Sequence, residues 1–341
     1  MDLSKIKLTS RSKTQETDPL KIFESLTQRG KVETLSGPQQ EALKKWHDDL
    51  RKNEDVMFSM STGGGKTLVG LLAAQSLANE LRARVLYLCP TNQLVEQTAA
   101  QAADCSLKVA TYMGGRWVNE ASYQTCEHCA VTNYHAAFTG RSRLIDDSVK
   151  AIILDDAHVA PSIIRECFTV KIGRTHPAWN PLIAIFADYF LRSPYAARFR
   201  RFADPRGKFE EGVLFVPGWF AHNHAVKVAE AITENEGDDP NVRLPLTHLV
   251  DHLPKCAIFI SHSEINITPT VLPTHALPIF RRGVRRIYLT ATLPSRYESI
   301  RTLAPNAQIR SLRAARWGLP RNCSFSHMRA KKLIRLATLG R

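Results

Sequence analysis

Three consecutive glycines closed by lysine and threonine, Ser61-Thr62-Gly63-Gly64-Gly65-Lys66-Thr67, constrain this chain more than any other stretch. The apolar run Val56-Met57-Phe58-Ser59-Met60 precedes them and reads as a strand. Thr67 to Glu80 follows with helical spacing. A glycine loop between a strand and a helix lets successive backbone N–H groups turn inward around phosphate oxygens, helped by the positive end of the helix. Lys66 is then placed to reach the β- and γ-phosphates, and the Thr67 hydroxyl to ligate Mg2+. Ser61, Thr62 and the three glycines complete the nucleotide-binding set. A purely structural turn is the competing reading, and the flanking elements argue against it. Met60 stands where such loops usually carry a small residue.

Short apolar runs alternate with helical stretches beyond this point. Arg84–Cys89, Leu107–Met113, Cys129–Asn133, Ala151–Leu154 and Ile287–Thr290 read as strands, and Gln39–Leu50 and Leu94–Ala103 as helices. This alternation predicts an α/β fold with a mostly parallel sheet covered on both faces. One of these strands ends in Asp155-Asp156-Ala157-His158. Adjacent carboxylates there suit metal-assisted hydrolysis, one holding the cation and the other polarising the attacking water. Capping of the next helix is the alternative role for such acids.

Read together, the glycine loop, Leu88-Cys89-Pro90-Thr91, the Asp155–His158 box and Thr290-Ala291-Thr292 resemble motifs I, Ia, II and III of superfamily-two DEAD/DEAH-box helicases, in the family's order. Val131-Thr132-Asn133-Tyr134-His135 resembles the segment that precedes motif II. The resemblance implies a RecA-like ATP-binding lobe using ATP and Mg2+. It implies that Lys66, Asp155, Asp156 and His158 are catalytic and that Thr67 and Asp155 hold the metal. It further implies that Gln39 reads adenine and that Pro90, Thr91, Gly115 and Thr132 line the nucleic-acid face. Thr290 and Thr292 would couple nucleotide state to grip. Asp156 departs from the family, which has glutamate there. The lost methylene withdraws the carboxylate by about 1.5 Å, and misplacement on that scale can cost about 10²-fold in rate.

Residues 165–278 interrupt the alternation with helical patterns at Leu182–Phe190, Ala225–Thr233 and Leu244–Leu253, so a largely helical inserted subdomain is expected between motifs II and III. The full division is a polar lead-in (1–20), the lobe (21–164), the insertion (165–278), a return to the lobe (279–297) and a basic tail (298–341). Net charge is +14, yet residues 281–341 hold 15 Lys/Arg against one acid, leaving 31 of each sign in the remainder. Two readings of the tail stay open. It is a basic arm for phosphate backbones, or the natural reading frame is lost near Leu303. The second accounts for the absence of a second lobe.

Other constellations are weaker. Cys105, Cys126 and Cys129 fall in the window where repair-type iron–sulfur helicases carry four cysteines, and they read mainly as semi-buried thiols. His248 and His252 lie one turn apart without a zincin glutamate and read as structural. Arg198-Phe199-Arg200-Arg201-Phe202 could stack bases, but an amphipathic helix with inward rings is favoured. Seven scattered cysteines suggest reduced thiols. With no membrane-length apolar run and no signal segment, a cytoplasmic setting is expected. The expected partners are nucleic acid, DNA ahead of RNA, and a subunit supplying a second RecA-like lobe. An ATP-gated clamp, an unrelated P-loop ATPase and an inactive fragment are the alternatives.

Overall fold

The computed structural model describes residues 15–27, 32–61, 63–140, 142–204, 209, 211–274 and 277–291, with the backbone of 310–313. After two short helices, α1 (Pro19–Glu24) and α2 (Gly37–Lys45, continued as a wide turn to Leu50), the chain enters β1 (Asp55–Ser59). The lobe continues through α3 (Lys66–Leu81), β2 (Arg84–Cys89), α4 (Asn92–Asp104), β3 (Ala110–Met113), β4 (Arg116–Val118), α5 (Glu120–Gln124), β5 (Ala130–Asn133), α6 (Tyr134–Phe138), β6 (Val149–Leu154) and α7 (Ala160–Cys167). The insertion follows as β7 (Val170–Gly173), α8 (Trp179–Phe190), α9 (Ala196–Ala203), β8 (Val213–Val216), α10 (Gly218–Asn223), α11 (Ala225–Thr233), α12 (Pro240–Leu249), β9 (Cys256–Ser261) and β10 (Glu264–Pro269). The chain returns to the lobe in β11 (Arg285–Thr290) and β12 (Arg310–Arg313).

Eight strands form the central sheet in the order β12-β1-β11-β6-β2-β5-β3-β4. Every pairing is parallel except β3 with β4, a hairpin turned at Gly114 and Gly115. Both glycines have positive φ (54° and 79°), as a two-residue hairpin loop requires. The parallel strands are apolar on both sides because both faces are covered. Val56, Phe58, Val85, Tyr87, Ile153 and Leu289 pack under α3 and α2. Met57, Leu86, Leu88, Ile152, Leu154 and Tyr288 face the other way, into a core continuous with that of the insertion.

The central α/β architecture matches the sequence reading, and the insertion adds to it. Helices form where periodicity placed them, but they pack around a four-stranded antiparallel sheet, β7-β10-β9-β8. So helices predominate in the insertion, but they are organised on an antiparallel sheet that helical periodicity does not announce. Its strands carry a period of two: in Cys256–Ser261 and Glu264–Pro269 alternate residues are buried. Residues 310–313, within the segment assigned to the tail, add a parallel strand beside β1. The rest of that tail, and most of the lead-in, lie outside the described residues. No described helix is long and apolar enough to cross a membrane.

Candidate nucleotide-binding site

The sheet order brings three segments together that are distant in sequence. β1 ends in the glycine loop, β6 ends in the acidic box, and β11 lies between them. At the end of β11 the Thr290 carbonyl accepts from the Met60 N–H (3.0 Å), and the Leu289 carbonyl accepts from the Ala157 N–H (2.8 Å). The strand bearing Thr290 is therefore fastened on one side to the residue before the glycine loop and on the other to the acidic box. Thr290 is fully buried. Thr292 and Thr62 lie outside the described residues.

Within the loop, Gly63 and Gly65 have φ of 79° and 73°, a region that side chains disfavour. The Gly64 N–H donates to the Ser61 carbonyl at 3.0 Å. A β-carbon at Gly65 would come within 2.1 Å of the Gln39 amide nitrogen, so a side chain there would displace that amide as well as strain the backbone. Lys66 opens α3 and its Nζ lies 2.9 Å from Asp156 Oδ1, with the lysine side chain only 12% exposed.

The acidic box is held from three sides. The Asp155 N–H donates to the Leu88 carbonyl of β2 (2.9 Å), Ala157 is bound to β11, and the Tyr134 hydroxyl donates to the Asp155 carbonyl (2.7 Å). Asp155 Oδ1 accepts from the Asp156 N–H at 3.0 Å. The chain then turns through Asp156 at φ 46°, a left-handed conformation that aspartate tolerates better than most residues. Burial, and then the charge of Asp156, push the Asp155 carboxyl above the ordinary range. The Asp156 N–H, the Lys66 ammonium and the Tyr87 hydroxyl act in the opposite direction. Two carboxylates thus share one ammonium. A divalent cation would offset the remaining negative charge, and the hard oxygens of Asp155 and Thr67 suit one of the Mg2+ type.

Not every expected residue meets this centre. His158 is exposed at the end of the box. Pro90 is half-buried, while Thr91 and Gly115 are exposed on the edge of the lobe, and Thr91 caps α4 through the Leu94 N–H. Thr132 corrects the expectation of a surface role. It is fully buried, and its hydroxyl donates to the Tyr112 carbonyl at 2.8 Å, because it sits mid-strand between β3 and β2. Gln39 is buried and turned into the protein. Its Oε1 accepts from the Ser36 N–H (2.8 Å) and Oγ (3.0 Å), and its Nε2 donates to the Gly65 carbonyl (3.3 Å). It caps α2 and braces the phosphate loop, a geometry that does not present its amide to a base. Tyr134, in the segment before the acidic box, has a structural part that the motif comparison does not assign: it holds the Asp155 carbonyl. A buried tyrosine next to a strand end needs a hydroxyl partner, and that requirement was the available signal.

Among the weaker constellations, Cys105 and Cys129 are buried, and burial pushes the Cys129 thiol up to about 12. No group of three or more His, Cys, Asp or Glu side chains suited to a metal occurs among the described residues. His248 stacks on Phe168 (4.6 Å between centroids), and burial pushes its pKa down. Phe199 and Phe202 are buried in α9, whose arginines point outward.

A parallel sheet with a glycine–lysine loop on one strand and paired carboxylates on a near neighbour defines a P-loop nucleoside-triphosphate-binding lobe. Residues 33–190 match the family model described as type III restriction enzyme, res subunit. Similar solved structures include an XPD helicase (13% identity, 83% of this chain and 63% of that chain, TM-score 0.48). Xpd4 of S. tokodaii is another (16%, 80% and 60%, 0.46), as is UvsW of T4 (14%, 46% and 31%, 0.35). The chain spans 57–63% of the length of the first three such structures. No curated protein matches it.

Proposed function

We propose that this chain is the ATP-hydrolysing lobe of a nucleic-acid helicase or translocase. The contact between Lys66 and Asp156 carries this reading: a lysine at the mouth of a phosphate loop sits 2.9 Å from the carboxylate best placed to polarise water. In this account the triphosphate draws Lys66 away from Asp156, and the released carboxylate orients the attacking water. Asp155 and Thr67 hold Mg2+, which neutralises charge on the phosphates when bound. His158 and Thr290 pass the nucleotide state onward, and the bonds from β11 to Met60 and Ala157 supply a short mechanical route. Pro90, Thr91 and Gly115 contribute to a nucleic-acid face, with DNA ahead of RNA. A second lobe, from a partner subunit or from further chain, supplies the opposing wall of the site. The inserted subdomain (165–278), the return at 279–297 and a cytoplasmic setting belong to the same proposal.

A second reading is favoured by Asp156 itself. One methylene shorter than glutamate and turned through a left-handed backbone, it suits a slow, ATP-gated clamp.

The test is Mg2+-dependent phosphate release by the wild type against Lys66→Ala, Thr67→Ala and Asp155→Asn. Turnover that is lost in all three variants supports the assignment. Turnover that survives Lys66→Ala contradicts it.

A further inference from the structure

We infer that the site accepts nucleoside triphosphates with little regard to the base, a reading that rests on the phosphate-loop assignment above and narrows its substrate class. The argument is a count of hydrogen-bonding capacity at Gln39. To read adenine, a glutamine must offer its carbonyl oxygen to the exocyclic amino group and its amide N–H to a ring nitrogen. Here both ends are already engaged. The Oε1 atom has two lone-pair directions and receives two donors, the Ser36 backbone N–H at 2.8 Å and the Ser36 hydroxyl at 3.0 Å. The Nε2 atom donates to the Gly65 carbonyl.

Packing closes the alternative of a small rotation. Gln39 is 7% exposed. Its amide nitrogen lies where a side chain on Gly65 would begin, 2.1 Å from that position, so the amide fills the space beside the left-handed glycine. Turning it toward a base would break the capping box of α2, leave the Ser36 N–H unmet, and remove a brace from the phosphate loop. The next amide along, Gln40, is also committed: its Nε2 donates to the Leu35 carbonyl at 2.7 Å. The amide nitrogens of this helical turn are used to hold the loop and its approach. Affinity then resides in the loop N–H groups and Lys66, which contact phosphates common to all four ribonucleotides.

Isothermal titration of the full chain with ATP, GTP, CTP and UTP in the presence of Mg2+, alongside steady-state hydrolysis of each, tests the inference. The expected result is affinities and kcat/KM values within about tenfold of one another. Gln39→Ala should weaken all four together, because the brace on the loop is lost. A site that reads a base through hydrogen bonds discriminates by about 10⁴-fold. A preference for ATP above about 100-fold overturns the inference, whether Gln39→Ala abolishes the preference (the amide reads adenine) or leaves it intact (another group does). Failure of the underlying assignment looks different: binding that is absent, or unchanged in Lys66→Ala, removes the phosphate-loop reading itself and this inference with it. Lys66-dependent binding confined to ATP overturns only the inference.

Discussion

Lys66 and Asp156, 90 positions apart in sequence, meet at 2.9 Å because β11 lies between their strands and is hydrogen-bonded to both motifs. The short side chain at 156 reaches the lysine from a left-handed backbone, with φ 46°. Restoring the missing methylene should place the carboxylate nearer the attacking water. Asp156→Glu is expected to raise kcat by tenfold or more, approaching the ~10² cost of such misplacement, while KM for ATP changes by less than a factor of three. Steady-state kinetics on the two proteins decides it. An unchanged or lower kcat means that the left-handed turn already compensates for the shorter side chain.

The box also depends on Tyr134. Its hydroxyl is buried and donates to the Asp155 carbonyl at 2.7 Å. Tyr134→Phe keeps the ring and leaves that carbonyl unpaired, so a loss of about 1–2 kcal/mol is expected. Urea unfolding monitored by circular dichroism measures it. A shift below about 0.3 kcal/mol would show that the hydroxyl is dispensable.

At the opposite end of the sheet, Arg286 grips Asp55 through two bonds of 2.6 and 2.8 Å, and the Tyr288 hydroxyl adds a third to Asp55 at 2.8 Å. Arg286 also donates to the carbonyls of Ile279 and Arg281, where the chain returns from the insertion. Both charges are almost completely buried. Removing one partner strands the other, so Asp55→Ala should cost about 3–5 kcal/mol. Asp55→Ala combined with Arg286→Met should cost less than the sum of the single changes. A double-mutant cycle by denaturant titration tests the coupling.

Much of this was readable in advance, for physical reasons that differ along the chain. Gly63 and Gly65 were legible because the left-handed backbone of a tight strand-to-helix loop favours glycine, and Lys66 because it closes that glycine run at the start of a helix. The parallel strands were legible from their double-sided burial, which leaves runs such as Ile152-Ile153-Leu154. Thr132 was misplaced because a polar residue in a short strand reads alike whether its hydroxyl meets solvent or a neighbouring carbonyl. At Gln39 the bonds to Ser36 and Gly65 were not legible either, since composition does not reveal which groups an amide already serves. The antiparallel sheet of the insertion escaped because its strands are short and scattered among helices, and pairing such as β7 with β10 is non-local. The Asp55–Arg286 pair carries no motif, and only the register of β1 against β11 makes it visible.

Stability toward acid offers an independent check on the lobe. Glu80, on α3, lies between Arg285 (2.9 Å) and Arg51 (2.7 Å). Burial pushes its carboxyl up, but the two guanidinium groups outweigh this and hold it below the usual carboxylate range. A carboxyl lowered on folding stabilises the native state above its unfolded value and loses that contribution as pH falls through its folded value. Melting temperature should therefore drop on acidification below about pH 4.5, and drop less steeply in Glu80→Gln. Parallel curves for the two proteins would place the acid sensitivity elsewhere.

Whether this lobe hydrolyses ATP in response to nucleic acid is decided by the turnover number with and without saturating single-stranded DNA or RNA, using Lys66→Ala as the control. A Lys66-dependent rate that rises at least severalfold with nucleic acid, and more with DNA than with RNA, is the expected result. A rate that neither polymer changes, in a chain that binds both ATP and the polymer, would contradict coupling through β11 and leave a nucleotide-gated clamp.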